Sequence, residues 1–137
     1  MEKAATLIGR ILLGHIFLLA GISKISGYAA TAGWMEAMGV SGGLLPLVIA
    51  LEIGGGLALI LGFQARIAAL GLAVFSIISA VIFHAELSDQ MQSILFMKNF
   101  AMAGGLLYVA ALGAGAWSID AKIRQSRSQV SARATAV

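Results

Sequence analysis

A carboxylate, two ammonium groups, an imidazole and a carboxamide stand in otherwise apolar stretches of this chain: Lys24, Glu52, His84, and Lys98 beside Asn99 in "ILFMKNFAMAGGLL" (94–107). A charged side chain at the middle of a membrane-crossing helix costs roughly 2.5–3.5 kcal/mol, so such groups face protein or a wet cavity. A carboxylate and an ammonium brought together there can hold protons and orient a polar ligand. They can equally do no more than fix the register of two helices. Residue types alone leave both readings open. Other chemistry is excluded more firmly. The chain has no cysteine, which removes thiolate nucleophiles, CxxC redox pairs, iron–sulfur ligation and disulfides. His15 and His84 are the two histidines; the first falls near mid-bilayer and the second at a span's outer edge, too far apart in depth to share a haem. His15 is therefore read as a neutral histidine bonded to a nearby carbonyl. His84, Glu86 and Asp89 match no strong metal-site spacing, so a solvated loop and no metal are expected.

The elements that must position these groups are helices. Of the 137 residues, 60% are hydrophobic and 11% charged, against roughly 25% charged in a soluble domain. Four stretches, about 4–23, 44–62, 65–83 and 93–117, approach the length of about 20 apolar residues that crosses a bilayer. Nothing alternates with period 2 for long. The predicted fold class is all-α, an integral-membrane four-helix bundle over residues 1–118, followed by a basic tail (119–137) that lacks apolar periodicity and is expected to be disordered. A cleaved leader, with Lys3, the run 11–20 and Ala30–Ala32, is the weaker reading, because Arg10 and Lys24 bracket the run and three more spans follow. "LGFQAR" (61–66) makes the second and third spans a tight hairpin. The middle of the long connection 25–43, from Ala29 to Met38, suits a short interfacial helix. Four spans place both termini and the hairpin on one side, with Lys3, Arg10, Arg66, Lys122, Arg124, Arg127 and Arg133. The other side has Lys24 and Lys98, so the positive-inside rule puts both termini in the cytoplasm.

Spacing then assigns faces. Arg10, Gly14, Phe17, Gly21 and Lys24 form one seam, and Arg66, Leu70, Ala73, Ile77, Ala80 and His84 another. Glu52 shares a face with Gly55 and Gly56; Lys98 shares one with Ala101, Met102 and Gly105. Small residues let helices approach closely in lipid. At 1.5 Å per residue Glu52 lies roughly 12 Å and Lys98 roughly 8 Å below the outer end. A Glu52–Lys98 pair between the second and fourth spans is therefore expected, with Asn99 bonded to a second neighbour.

Together these motifs resemble the DoxX family: Ala20, Gly21 and Lys24 (AG-x-x-K), Glu52, Gly55 and Gly56 (E-x-x-GG), Leu61, Gly62 and Arg66 (LG-x-x-x-R), His84, and Lys98, Asn99, Gly104 and Gly105 (KN with GG), in family order from about Arg10 to Asp120. The resemblance implies a four-span bacterial inner-membrane protein, a subunit or relative of membrane oxidoreductases that pass electrons to quinone. On that reading Lys24, Glu52, His84, Lys98 and Asn99 would line an outer-leaflet site for quinone, and the partners would be the bilayer and another redox subunit or a second copy, not nucleic acid. The protein would be at most an oxidoreductase subunit without a thiol, haem or metal centre of its own. The alternatives are a non-catalytic assembly subunit with a structural Glu–Lys network and, last, a small-solute carrier.

Overall fold

The computed structural model describes residues 1–135. Helix α1 (Glu2–Ser26) ends where Gly27 breaks the run, and α2 (Tyr28–Ala37) starts at once. A 3₁₀ turn (Gly42–Leu44) leads into α3 (Leu45–Leu61), which has its proline at the start of the helix, where a missing N–H costs nothing. Gly62 stops α3 with φ 67°, and Gln64, also left-handed at φ 48°, opens α4 (Ala65–Phe83). Asp89 caps α5 (Gln90–Leu112) by accepting from the Gln92 N–H. The last helix, α6 (Ile119–Thr135), follows two glycines in positive-φ geometry, Gly113 and Gly115.

Four of these helices are long and apolar enough to cross a membrane, the second span including the 3₁₀ turn. The hairpin at 62–64 and the short helix before α3 fall where the sequence puts them. α1 lies along α3 and α4 along α5, and α3 with α4 joins the two pairs. Phe17, Leu59, Ala69, Leu72, Ala73, Ala103 and Leu106 form the core. Large apolar side chains outside it stay exposed on every span, among them Leu47, Ile67 and Leu107. In lipid that surface needs no cover, because the helices satisfy their own backbone groups and the tails solvate the side chains.

Glycine sets the closeness of α1 and α3. A Cβ on Gly14 would stand 2.7 Å from the Gly56 carbonyl oxygen, and one on Gly56 would stand 2.7 Å from the Gly14 oxygen. Backbone meets backbone there, as small-residue seams allow. The α1 seam is as expected: Arg10, Gly14, Phe17 and Gly21 are all buried. The α4 seam is not. Its first half runs through Ala65, Ala69, Leu72 and Ser76, while Leu70 is exposed. Alanine at 65 and 69 lets the neighbouring helix approach, which the longer Arg66 and Leu70 would prevent.

The two ends of the C-terminal half also differ from expectation. α5 stops at Leu112, short of 117, because Gly113 (φ 89°) and Gly115 (φ 77°) turn the chain under the bundle. The tail is helical through Thr135 rather than irregular. Its start is fixed by Ser118, whose Oγ accepts from the Ala121 N–H, and Ala, Arg, Lys and Gln are strong helix formers even without an apolar stripe to bury.

Candidate functional site

The end of the bundle opposite the termini has a cavity of about 190 Å³ bounded by α1, α2, α3 and α4. Its walls are largely apolar and aromatic, with Trp34, Met35, Val48, Phe75 and Phe83, and three titratable groups reach it: Lys24, Glu52 and His84. Lys24 Nζ donates to Glu52 Oε1 at 2.9 Å and lies 2.8 Å from Oε2, a contact that lacks the direction of a hydrogen bond. Glu52 is 3% exposed, whereas a quarter of the Lys24 side chain is accessible. The carboxylate is thus held in the protein, and its cation is the open half of the pair.

Local sequence explains why Lys24 arrives there. Gly21 sits against Glu52 and Ile53: a Cβ on it would stand 3.2 Å from Glu52 Cβ and 2.6 Å from Ile53 Cγ1. One turn later on the same face comes Lys24, already beside α3. The expected Glu52–Lys98 pair does not form. Lys98 is exposed and makes no ion pair or hydrogen bond with a described residue. α5 packs on α4 rather than α3, and it turns Asn99, Ala103 and Leu106 inward, Ala103 and Leu106 being buried. Asn99 does not reach a second helix either; its Nδ2 donates to Leu95 O one turn back. Of the predicted glycine contacts, Gly21, Gly55 and Gly56 are buried, and Gly105 meets Leu13. Gly104 is exposed with nothing near it.

His84 closes α4, and its Nδ1 lies 2.7 Å from Gln92 Oε1 on α5. With that oxygen as acceptor, Nδ1 carries the proton, which in the neutral ring leaves the lone pair on Nε2. The neighbouring acids take no part: Glu86 accepts from the Ser88 hydroxyl and Asp89 caps α5. His15 is exposed and its Nδ1 is 2.7 Å from Leu12 O, in the local bond expected.

At the opposite end, sequence reasoning missed an assembly around Arg10. This guanidinium is 1% exposed. It donates to Leu59 O at 2.7 Å, Ile60 O at 3.3 Å and Trp117 O at 2.6 Å, tying α1 to the end of α3 and to the chain after α5. Asp120 completes the end by accepting from the Gln64 and Ala65 N–H groups at 2.8 and 3.0 Å, a cap for α4 supplied from α6. Arg66, expected as the companion cation, is exposed. Ser118 before a run of helix formers signals the start of α6, but no local pattern foretells that Asp120 caps another helix.

Comparison with known proteins follows the same lines. The DoxX family model matches residues 5–85, a stretch holding Lys24, Glu52 and His84 but neither Lys98 nor Asn99. The inner membrane protein YqjF of Escherichia coli (strain K12) is 48% identical over 120 residues, 88% of this chain and 92% of that protein. The inner membrane protein YphA of the same strain is 32% identical over 121 residues, covering 83% and 86%. No solved structure matches the chain. With a family match over more than half its length and two inner-membrane relatives of nearly full coverage, this chain, with its four bilayer-length helices, belongs to the DoxX family and is a multi-pass inner-membrane protein.

Proposed function

We propose that the cavity between α1, α2, α3 and α4 binds the headgroup of a quinone, and that the protein serves as the quinone-facing subunit of a membrane oxidoreductase, with both termini in the cytoplasm. The observation that carries this reading is the buried Lys24–Glu52 pair opening onto aromatic walls. A pair needed only for register has no use for a cavity beside it. The residues fit the group. An ammonium can donate to a ring oxygen; a carboxylate and an imidazole lone pair can accept from a ring hydroxyl; Trp34, Phe75 and Phe83 suit a flat apolar ring. A volume of about 190 Å³ suits a headgroup, leaving an isoprenoid tail to the lipid. When bound, quinone would supply the two-electron chemistry that no side chain here provides. Lys24 would orient it, while Glu52 and His84 would hold and pass protons at its oxygens. The orientation rests on the seven cations at the terminus-bearing end.

Trp34 gives a direct test. In a Trp117→Phe background the other tryptophan is gone, and a short-chain quinone added to detergent-purified protein should quench Trp34 fluorescence saturably. Glu52→Gln and Lys24→Met should raise the apparent Kd at least tenfold. Linear, unsaturable quenching, identical in wild type and variants, would exclude the site. The rival reading is a structural pair in a non-catalytic assembly subunit, favoured by the fact that Lys24–Glu52 joins α1 to α3 directly. On that reading both variants lower thermal stability and leave quenching unchanged. A C-terminal reporter active only outside the cytoplasm would reverse the orientation.

A further inference from the structure

At the terminus-bearing end, Arg66 from the first turn of α4 and Arg124 and Arg127 from α6 line one cavity of about 410 Å³. None of these three guanidinium groups makes an ion pair or hydrogen bond with a described residue. The acid in the same cavity, Asp120, already has both oxygens on the Gln64 and Ala65 N–H groups. Three unpaired cations therefore face one committed carboxylate. Apart from Gln64 the other walls are apolar, with Phe63, Ile67 and Ile123 all exposed. Arg66 lies across Gly113, where a Cβ would stand 3.2 Å from Nε, so the glycine turn after α5 makes room for it.

The site sits where a membrane would put headgroups. Ile67 is on a bilayer-spanning helix, while α6 carries Lys122, Arg124, Arg127 and Arg133 in its described length. At 100° per residue Ile119, Ile123 and Val130 fall within about 40° of one another, with cations to either side, too few apolar residues for a full stripe. A cluster of guanidinium groups selects phosphate through bidentate hydrogen bonds. Apolar walls beside it select a phosphate that carries hydrocarbon. We infer that Arg66, Arg124 and Arg127 form a binding site for the phosphate of an anionic phospholipid headgroup, with Phe63, Ile67 and Ile123 against the start of its acyl chains. The site shares no residue with the cavity at the other end and stands or falls independently of quinone.

The test uses full-length protein in an uncharged detergent, titrated with phosphatidylglycerol, cardiolipin, phosphatidylcholine or inorganic phosphate, read by unfolding midpoint and by lipid retained in native mass spectrometry. Phosphatidylglycerol and cardiolipin should raise the midpoint saturably, and phosphatidylcholine and free phosphate should not. Each arginine removed should weaken binding about fivefold, so Arg124→Gln/Arg127→Gln should lose most of it. Arg66→Gln should lower it further. The control Lys122→Gln/Arg133→Gln changes the same net charge outside the cavity and should keep the response. The double variants change exposed residues of α6 and leave the bundle intact, so retention can be read even if Arg66→Gln folds poorly. Equal loss in the control would mean diffuse surface attraction, and an equal response to phosphatidylcholine would mean nonspecific lipid; either overturns the site. A response to free phosphate alone would overturn the lipid assignment.

Discussion

The two ends of this bundle meet the same physical problem, a charge among apolar helices, in opposite ways. At the terminus-bearing end Arg10 is surrounded by carbonyls that the chain itself supplies, from Leu59, Ile60 and Trp117. Its two terminal nitrogens are met without any other molecule, and its Nε alone has no partner among the described residues. At the far end Lys24 and Glu52 have essentially each other, and the pair borders a cavity. Buried polar groups are nearly always satisfied, so an end that satisfies its charge with backbone reads as structure. An end that leaves donors and acceptors beside an apolar cavity reads as a place for a ligand. Removing a charge should therefore damage stability at the first end and binding at the second.

Arg10→Met should have the largest effect. It removes three hydrogen bonds and strands the Ile60 and Trp117 carbonyls, while Leu59 O keeps the Gly62 N–H. Interhelical hydrogen bonds in membranes average about 0.6 kcal/mol with a ceiling near 1.7, so a loss of about 3 kcal/mol is expected. Unfolding in detergent would measure it. A variant as stable as wild type would mean that water already serves those carbonyls and that the contrast between the ends is false. Gly62→Ala attacks the same end from the backbone. The residue has φ 67°, and a Cβ there would overlap Arg10 Nη1 and Ser118 Cβ. Left-handed strain costs about 1–2 kcal/mol before the guanidinium is displaced, so about 2 kcal/mol is expected, and little further loss when Arg10→Met is already present. Full additivity in that double variant would show that the glycine acts independently of the arginine.

At the far end Glu52→Gln should cost only about 1 kcal/mol, because the amide keeps an acceptor for Lys24 and that ammonium is a quarter exposed. The same substitution should raise the apparent Kd for quinone at least tenfold, as described above. A loss as large as that of Arg10→Met, with binding intact, would make the two ends alike and both structural.

How much of this was legible beforehand varies by residue, for identifiable reasons. Arg10, Gly14, Phe17, Gly21 and Lys24 announce their seam because polar ends and small middles repeat at 4-3-4-3 spacing on one helix. Depth and reach favour Lys98 as the partner of Glu52, because Lys24 falls just beyond the end of the first span. What decides between them is which helix lies along α3, and that depends on the close fit of Gly14 against Gly56, a relation between residues far apart in sequence. The face of α5 differs in part from the expected one, Met102 and Gly105 packing inward but Lys98 and Ala101 exposed, for a related reason. Its apolar residues run all round, so the direction of its packing is set by a faint signal, the spacing of Asn99, Ala103, Leu106 and Ala110. The Arg10 assembly was illegible because an arginine near a span's end is ordinarily read as a snorkelling cation, and its acceptors are backbone atoms, which sequence does not display.

Lys98→Met is the smallest expected change and the sharpest test of the comparison. Lys98 is exposed on a spanning helix and has no ion pair or hydrogen bond among the described residues, so its removal should leave stability within about 0.5 kcal/mol in detergent. Trp34 quenching by quinone should be unchanged. In a bilayer the ammonium must reach toward the headgroups, so substitution there should be neutral or slightly stabilising. Unfolding in detergent and in lipid nanodiscs, side by side, separates these terms. A marked loss in nanodiscs alone would show that Lys98 meets an anionic group from outside the chain. Loss of quenching would instead return Lys98 to the site from which the packing of α5 on α4 removes it.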